Sequence, residues 1–120
     1  MHTAAPLAAH LGLPVQPDGR LTERVLSGRD LPYWRMALKA SFALPALRFP
    51  GGESGAAARR RGQAALDAAR DPQGLSVVVT HGNLLALLLG LDHAGWAGLK
   101  TPDMWLLTPG AAARRWEEQP

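Results

Sequence analysis

Residues 76–83 of this 120-residue chain read Ser-Val-Val-Val-Thr-His-Gly-Asn, a β-branched run that delivers a histidine to a glycine. An apolar stretch, Leu84 to Leu91, follows directly. The pattern predicts a strand buried on both faces, then a helix, with His81 at the junction. Ligands of open α/β sheets bind outside the carboxyl ends of the strands. The first turn of the helix also offers N–H groups without intrahelical partners, and its dipole favours an anion by roughly 0.3–1 kcal/mol at exposed sites. Gly82 lets the backbone approach such a ligand closely. Asn83 adds backbone or amide donors, and His81 can donate to a phosphoryl oxygen, most strongly as a cation. Phosphate binding is the chemistry this constellation suits. A histidine that merely caps a turn fits the same residues, and the pattern alone leaves the two readings level.

Several elements must position that junction. Thr3 to Leu11 is Ala/Leu-rich and predicts a helix with Thr3 as N-cap and Gly12 and Pro14 as stop signals. A short extended piece at Val15-Gln16 leads to the turn Pro17-Asp18-Gly19, and Leu21–Arg24 falls in a loop or at a strand end. Pro32 and Pro45 confine the next helix to about Tyr33–Leu44. After Pro50-Gly51-Gly52, Glu53-Ser54 opens an Ala/Arg-rich helix that Asp71-Pro72 ends. Met104–Thr108, a Pro-Gly turn and Ala112–Glu117 predict a closing hairpin or edge strands. Strand, helix and strand joined by helical crossovers argue for an α/β sandwich. Residues 1–120 read as a single domain, without an internal repeat or linker.

Composition narrows the function classes. Apolar residues make up 47% of the chain, which argues against a disordered tail. There is no cysteine, so disulfides and thiolate metal sites are excluded. The apolar run Leu84–Leu91 is too short to span a bilayer, and the N-terminus lacks the pattern of a signal peptide; a cytoplasmic location is the default, with no membrane partner. Net charge is +3 and the pI about 10.2, a modest field that favours anionic substrates. Apart from Arg59-Arg60-Arg61 and Arg114-Arg115 the basic residues are scattered, and no aromatics interleave with them, so no nucleic-acid partner is expected. His2, His10 and His93 lie outside any chemical pattern and are read as inert, with His93 exposed in a turn.

The stretch VVVTHGNLLALLLGLD resembles the second histidine motif of the histidine phosphatase superfamily, the phosphoglycerate-mutase-like proteins. PGGES at Pro50–Ser54, with Arg61 in the helix after it, resembles that family's PGGES-plus-arginine pattern. LTER at Leu21–Arg24 resembles its Leu-x-Glu motif, MHTAAPLAAHLGLP its helix after the first crossover, and Pro102–Trp105 its late strand. The pieces occur in the family's order over nearly the whole chain. The resemblance implies a partial three-layer α/β/α sandwich with a mostly parallel sheet, missing its first strand. It makes His81 the histidine that contacts phosphate and stabilises charge in phosphoryl transfer. Glu23 becomes the general acid that protonates the leaving oxygen. Gly82 and Asn83 line the phosphate pocket, while Gly52, Glu53 and Ser54 shape its rim. Arg61 is expected to be a structural ion-pair partner rather than a substrate ligand.

Departures from the family pattern set the functional expectation. Its nucleophile is a histidine in an Arg-His-Gly motif, and no such tripeptide occurs here. The family's second phosphate-binding arginine, just before the Thr-Ala pair, is likewise missing. The implied activity is phosphomonoester hydrolysis through a phosphohistidine in the complete form, with the chain as it stands inactive and N-terminally truncated. Loss of a nucleophile costs about 10⁶ in turnover in the serine-protease case. A mis-assigned start is expected, with a non-catalytic phosphate-ligand-binding or degenerate remnant module as the alternative. Hydrolysis is favoured over mutase chemistry because the long mutase-type insert is missing. A small phosphorylated substrate is the expected partner, and no cofactor or metal is implied. Unpaired sheet edges would make the fragment marginal, aggregation-prone or homodimeric.

Overall fold

A computed structural model describes residues 4–100 and 103–116. The caps and ends expected at Thr3, Pro102 and Glu117, and His2, lie outside the described residues. Five helices carry most of the order: α1 (Ala5–Leu11), α2 (Trp34–Ala43), α3 (Gly55–Ala69), α4 (Gly82–Leu89) and α5 (His93–Ala97). A 3-10 turn at Gly19–Leu21 follows α1, and two short strands, β1 (Trp105–Leu106) and β2 (Arg114–Arg115), come last.

Local chemistry explains most of these boundaries. Gly12 ends α1 in the left-handed conformation at φ 69°, its N–H turned back to the carbonyls of Ala8 and Ala9. Asp18 accepts from the Arg20 amide and opens the 3-10 turn, as the Asp-Gly pair predicts. Ser54 caps α3 by accepting from the Ala57 amide at 3.1 Å. Gly90, at φ 72°, closes α4, and Asp92 caps α5 through the Gly95 amide at 2.8 Å. The C-terminal residues form the expected hairpin, antiparallel with Trp105 opposite Arg115 and Leu106 opposite Arg114.

The core is the contact of α3 with α4. Ala58, Leu84 and Leu88 are buried together, with Leu66 and Leu87 packed against them. Small residues bring the two helices close: a methyl group at Gly62 would sit 3.0 Å from a Leu88 methyl and 3.1 Å from a Leu84 methyl. A second cluster joins α2 to α5. Phe42 and Trp96 lie with ring centroids 6.2 Å apart, and His93 packs against both at 6.1 and 5.4 Å. The exposed turn expected for His93 is therefore corrected: it is half-buried, because its imidazole fills an aromatic contact at the start of α5.

The buried strand expected at Ser76–Thr80 requires a larger correction. The segment lies in neither helix nor strand and pairs with no strand, and Leu75, Val77 and Val79 are 84%, 57% and 37% exposed. A strand exists only through a neighbour that takes its N–H and C=O groups. Among the described residues β1 and β2 are the only strands, and they pair with each other. The mostly parallel sheet of a three-layer sandwich is thus not seen among these residues, which are helix-rich with one two-stranded antiparallel sheet. Their packing is correspondingly open. The radius of gyration is 15.3 Å, against about 13–14 Å for a compact domain of this length. No described helix is long and apolar enough to cross a membrane.

With so few large side chains buried, each one matters. Leu84 is fully buried at the centre of the α3–α4 contact. Leu84→Ala should lower unfolding stability by about 2–5 kcal/mol, a large part of the total for a domain this small. Urea titration followed by helix circular dichroism will show the midpoint fall.

Candidate functional site

His81 stands at the N-cap of α4 in extended backbone (φ −110°, ψ 161°), and its side chain makes no capping hydrogen bond. It is exposed, and a methyl group at Gly82 would meet nothing within 4 Å. The space above the first turn of α4 is therefore open. What occupies the amides of that turn is a carboxylate. Glu23 accepts from the Asn83 amide at 3.1 Å and from the Leu84 amide at 2.8 Å, across 60 and 61 residues of sequence. Its Oε1 also accepts from the Arg24 amide at 2.9 Å. Two amides of the first turn of α4 are thus satisfied by Glu23, which acts as a long-range cap. Asn83 contributes its backbone N–H; its side-chain Oδ1 is buried without a partner.

Three contacts fix the Glu23 segment in place. Thr80, next to His81, donates from Oγ1 to the Leu21 carbonyl at 2.8 Å. Arg61 on α3 reaches the same segment from the other side. Its Nη1 donates to the carbonyls of Arg20 and Thr22, both at 2.8 Å, and its Nη2 to that of Glu23 at 3.3 Å. The remaining guanidinium donors go to Glu53: Nη2 to Oε1 at 2.6 Å and Nε to Oε2 at 3.0 Å. The third contact pairs Val25 with Glu53. Glu53 donates its amide to the Val25 carbonyl at 2.8 Å, and its Oε1 accepts from the Val25 amide at 3.2 Å.

The Pro50–Ser54 loop packs directly against this segment. A Cβ on Gly52 would come within 2.1 Å of the Leu26 carbonyl oxygen, so no larger residue fits. Gly51, at φ 75°, touches Gly28 closely enough that neither position admits a side chain without a shift. Beneath the loop lies Arg24, 5% exposed. Its guanidinium donates to Ser41 Oγ at 2.8 Å and to the Glu53 carbonyl at 3.3 Å, while Nε has no partner. Burial pulls the Arg24 guanidinium below its ordinary value, with Glu53 and Glu23 opposing that shift. Hydrogen bonding to Glu53 raises Arg61, and the same bond holds the Glu53 carboxyl below the usual glutamate range against the effect of burial.

Of the candidates read from the sequence, Glu23, His81, Gly82 and Asn83 come together at one helix end. Gly52, Glu53 and Ser54 do so indirectly: Glu53 binds Arg61 and Val25, and Ser54 caps α3. Arg61 is the ion-pair partner expected of it, and sequence reasoning missed that its guanidinium also gathers the Glu23 backbone. A signal was available. Arg61 borders the buried stripe of Ala58, Gly62 and Ala65 at helical spacing, whereas Arg59 and Arg60 face solvent. The aromatic residues Trp34 and Trp96 belong to α2 and α5, joined to the C-terminal end of α4, away from His81.

The family model of the histidine phosphatase superfamily (branch 1) matches residues 1–115, nearly the whole chain. No curated protein and no solved structure matches it significantly.

Because the folded-state value of Glu53 lies below its unfolded one, the sign of the pH effect follows. The stabilisation is complete above the ordinary glutamate value of about 4.3 and is lost as pH falls through the lower folded-state value. Glu53→Gln should cost about 1–3 kcal/mol at neutral pH and flatten the loss of stability in that acid range. Thermal melts of both proteins between neutral pH and pH 3 will measure it; parallel curves would remove Glu53 from this role.

Proposed function

The chain belongs to the histidine phosphatase superfamily, and from that premise we propose that it carries the phosphate-contacting and proton-donating part of a phosphomonoester hydrolase site. The carrying observation is the meeting of the Glu23 carboxylate with the Asn83 and Leu84 amides, directly after His81. Those amides suit any anion of the right size, and a phosphoryl oxygen would take the places that Glu23 holds. His81, exposed beside them, would donate to a second oxygen and stabilise the charge that develops in transfer. Displaced from the amides and having taken a proton from solvent beside the incoming phosphate, the Glu23 carboxyl would deliver that proton to the leaving oxygen as its bond to phosphorus breaks. The family's nucleophile is a histidine that takes the phosphoryl group and yields it to water. No Arg-His-Gly tripeptide that would supply it occurs in these residues. By itself the chain is therefore a phosphate-binding unit without turnover. The reading also carries the three-layer arrangement, in which Ser76–Thr80 would lie in a mostly parallel sheet.

Small phosphorylated compounds are the substrate class, and Gly52–Ser54 would border the pocket through the segment they support. Inorganic phosphate should bind weakly to the full chain, as read by chemical-shift changes at Gly82, Asn83 and Leu84, and His81→Ala should abolish it. Glu23→Gln removes the competing charge from the helix end and should tighten phosphate about two- to fivefold, the equivalent of roughly 0.3–1 kcal/mol. Hydrolysis of p-nitrophenyl phosphate should stay at background. Phosphate binding indifferent to His81→Ala would sink the proposal.

A further inference from the structure

We propose that Arg61 is the positioning residue for Glu23, setting where its carboxyl stands at the α4 end by holding the backbone that bears it. That Glu23 then serves a phosphoryl group rests on the reading above; the positioning does not. Residues 22–27 lie in neither helix nor strand, so no regular structure fixes Glu23 and its placement must come from outside. The carbonyls of Thr22 and Glu23, which precede and follow the Glu23 Cα, both end on the Arg61 guanidinium. A residue further on, the chain is tied again, through Arg24 to the Glu53 carbonyl and through Val25 to the Glu53 carboxylate and amide. Glu23 thus sits between two clamps, and Glu53 anchors both.

Arginine is the only residue type that can make this junction. Its planar fork has five N–H donors, and all of them are engaged here, on Glu53 and the carbonyls of Arg20, Thr22 and Glu23. A lysine keeps the charge, but its single ammonium cannot span a carboxylate and carbonyls on either side of Glu23. Charge alone therefore does not do the work. The charged or titratable groups around Glu23 are Arg24, Arg61, Glu53 and His81, and a lysine at position 61 leaves all four sites occupied by the same signs.

The test reads the two amides that bind Glu23. In ¹H–¹⁵N spectra of the full chain, Glu23→Gln should move the Asn83 and Leu84 resonances, because their acceptor changes from carboxylate to amide. Arg61→Lys should move the same two in the same direction while the α3–α4 core resonances of Ala58 and Leu88 hold. In the double variant, Glu23→Gln should add no further shift. A merely stabilising arginine would instead leave Asn83 and Leu84 at their wild-type positions in Arg61→Lys, with Glu23→Gln still moving them, and that result overturns the proposal. Should Arg61→Lys fail to fold, Arg61→Gln, which leaves the Val25–Glu53 tie in place but is too short to reach the carbonyls of Thr22 and Glu23, is read on the same resonances with the same two outcomes. Inorganic phosphate titrations on these samples separate the two claims. Coupled amides in a chain that binds no phosphate would defeat the phosphate reading and leave the role of Arg61 standing.

Discussion

A single guanidinium joins a helix and the loop before it to a segment some 38–41 residues away in sequence. Arg61 belongs to α3, its carboxylate partner Glu53 to the loop before that helix, and the carbonyls it gathers to the segment around Glu23. Carbonyls in irregular backbone need donors, and a segment with no strand or helix to supply them depends on whatever side chain can reach. Arg61 meets that need at about one-quarter exposure, so its bonds are shielded from water more than those of a surface pair. If that junction were lost, the Glu23 segment would keep only the Thr80 bond to Leu21 on one side and the loop contacts on the other.

The end of α4 illustrates how one electrostatic feature can serve folding and chemistry at once. A helix N-terminus leaves amides that some acceptor must satisfy. His81 does not satisfy them with its side chain, and Glu23 does so from across the chain. The contact orders the Glu23 segment and keeps an anion on the amides. A phosphoryl group arriving beside His81 would therefore compete with an internal carboxylate. That competition links the stability of the α4 end to ligand binding in opposite directions.

Hydrophobic burial plays a smaller part than composition suggests. The buried apolar side chains are alanines and leucines on α2, α3 and α4, while large residues such as Met36, Leu75 and Val77 stand in solvent. In the α3–α4 contact, close approach through Gly62 and the alanines compensates in part for small side chains. The polar network beside it, from Arg24 to Glu53 and Arg61, adds long-range ties between α3, the Pro50–Ser54 loop and residues 20–25.

Local signals were enough for α1 to α4 and their ends, whereas α5 formed where the sequence suggested only a turn. Proline and glycine bounded α1 and α2, Ser54 announced the start of α3, and the apolar run after His81 announced α4, because each of these effects acts within a turn or two of the chain. The order of motifs was enough for the family. Sequence also identified Glu23, His81, Gly82 and Asn83 as candidates. It could not show that Glu23 would sit on the amides of residues 60 positions away, since that contact depends on where the backbone of residues 20–23 is held. The valines at 77–79 gave the opposite lesson. Their β-branched pattern specifies a preference for extended backbone, but pairing and burial are properties of a neighbour and not of the segment itself, and among the described residues no strand pairs with it. Residue types and spacing thus determined most of the elements and the chemical inventory, and tertiary structure alone decided which carboxylate met which amides, because that meeting depends on contacts across the fold, among them the three carbonyls that one arginine gathers.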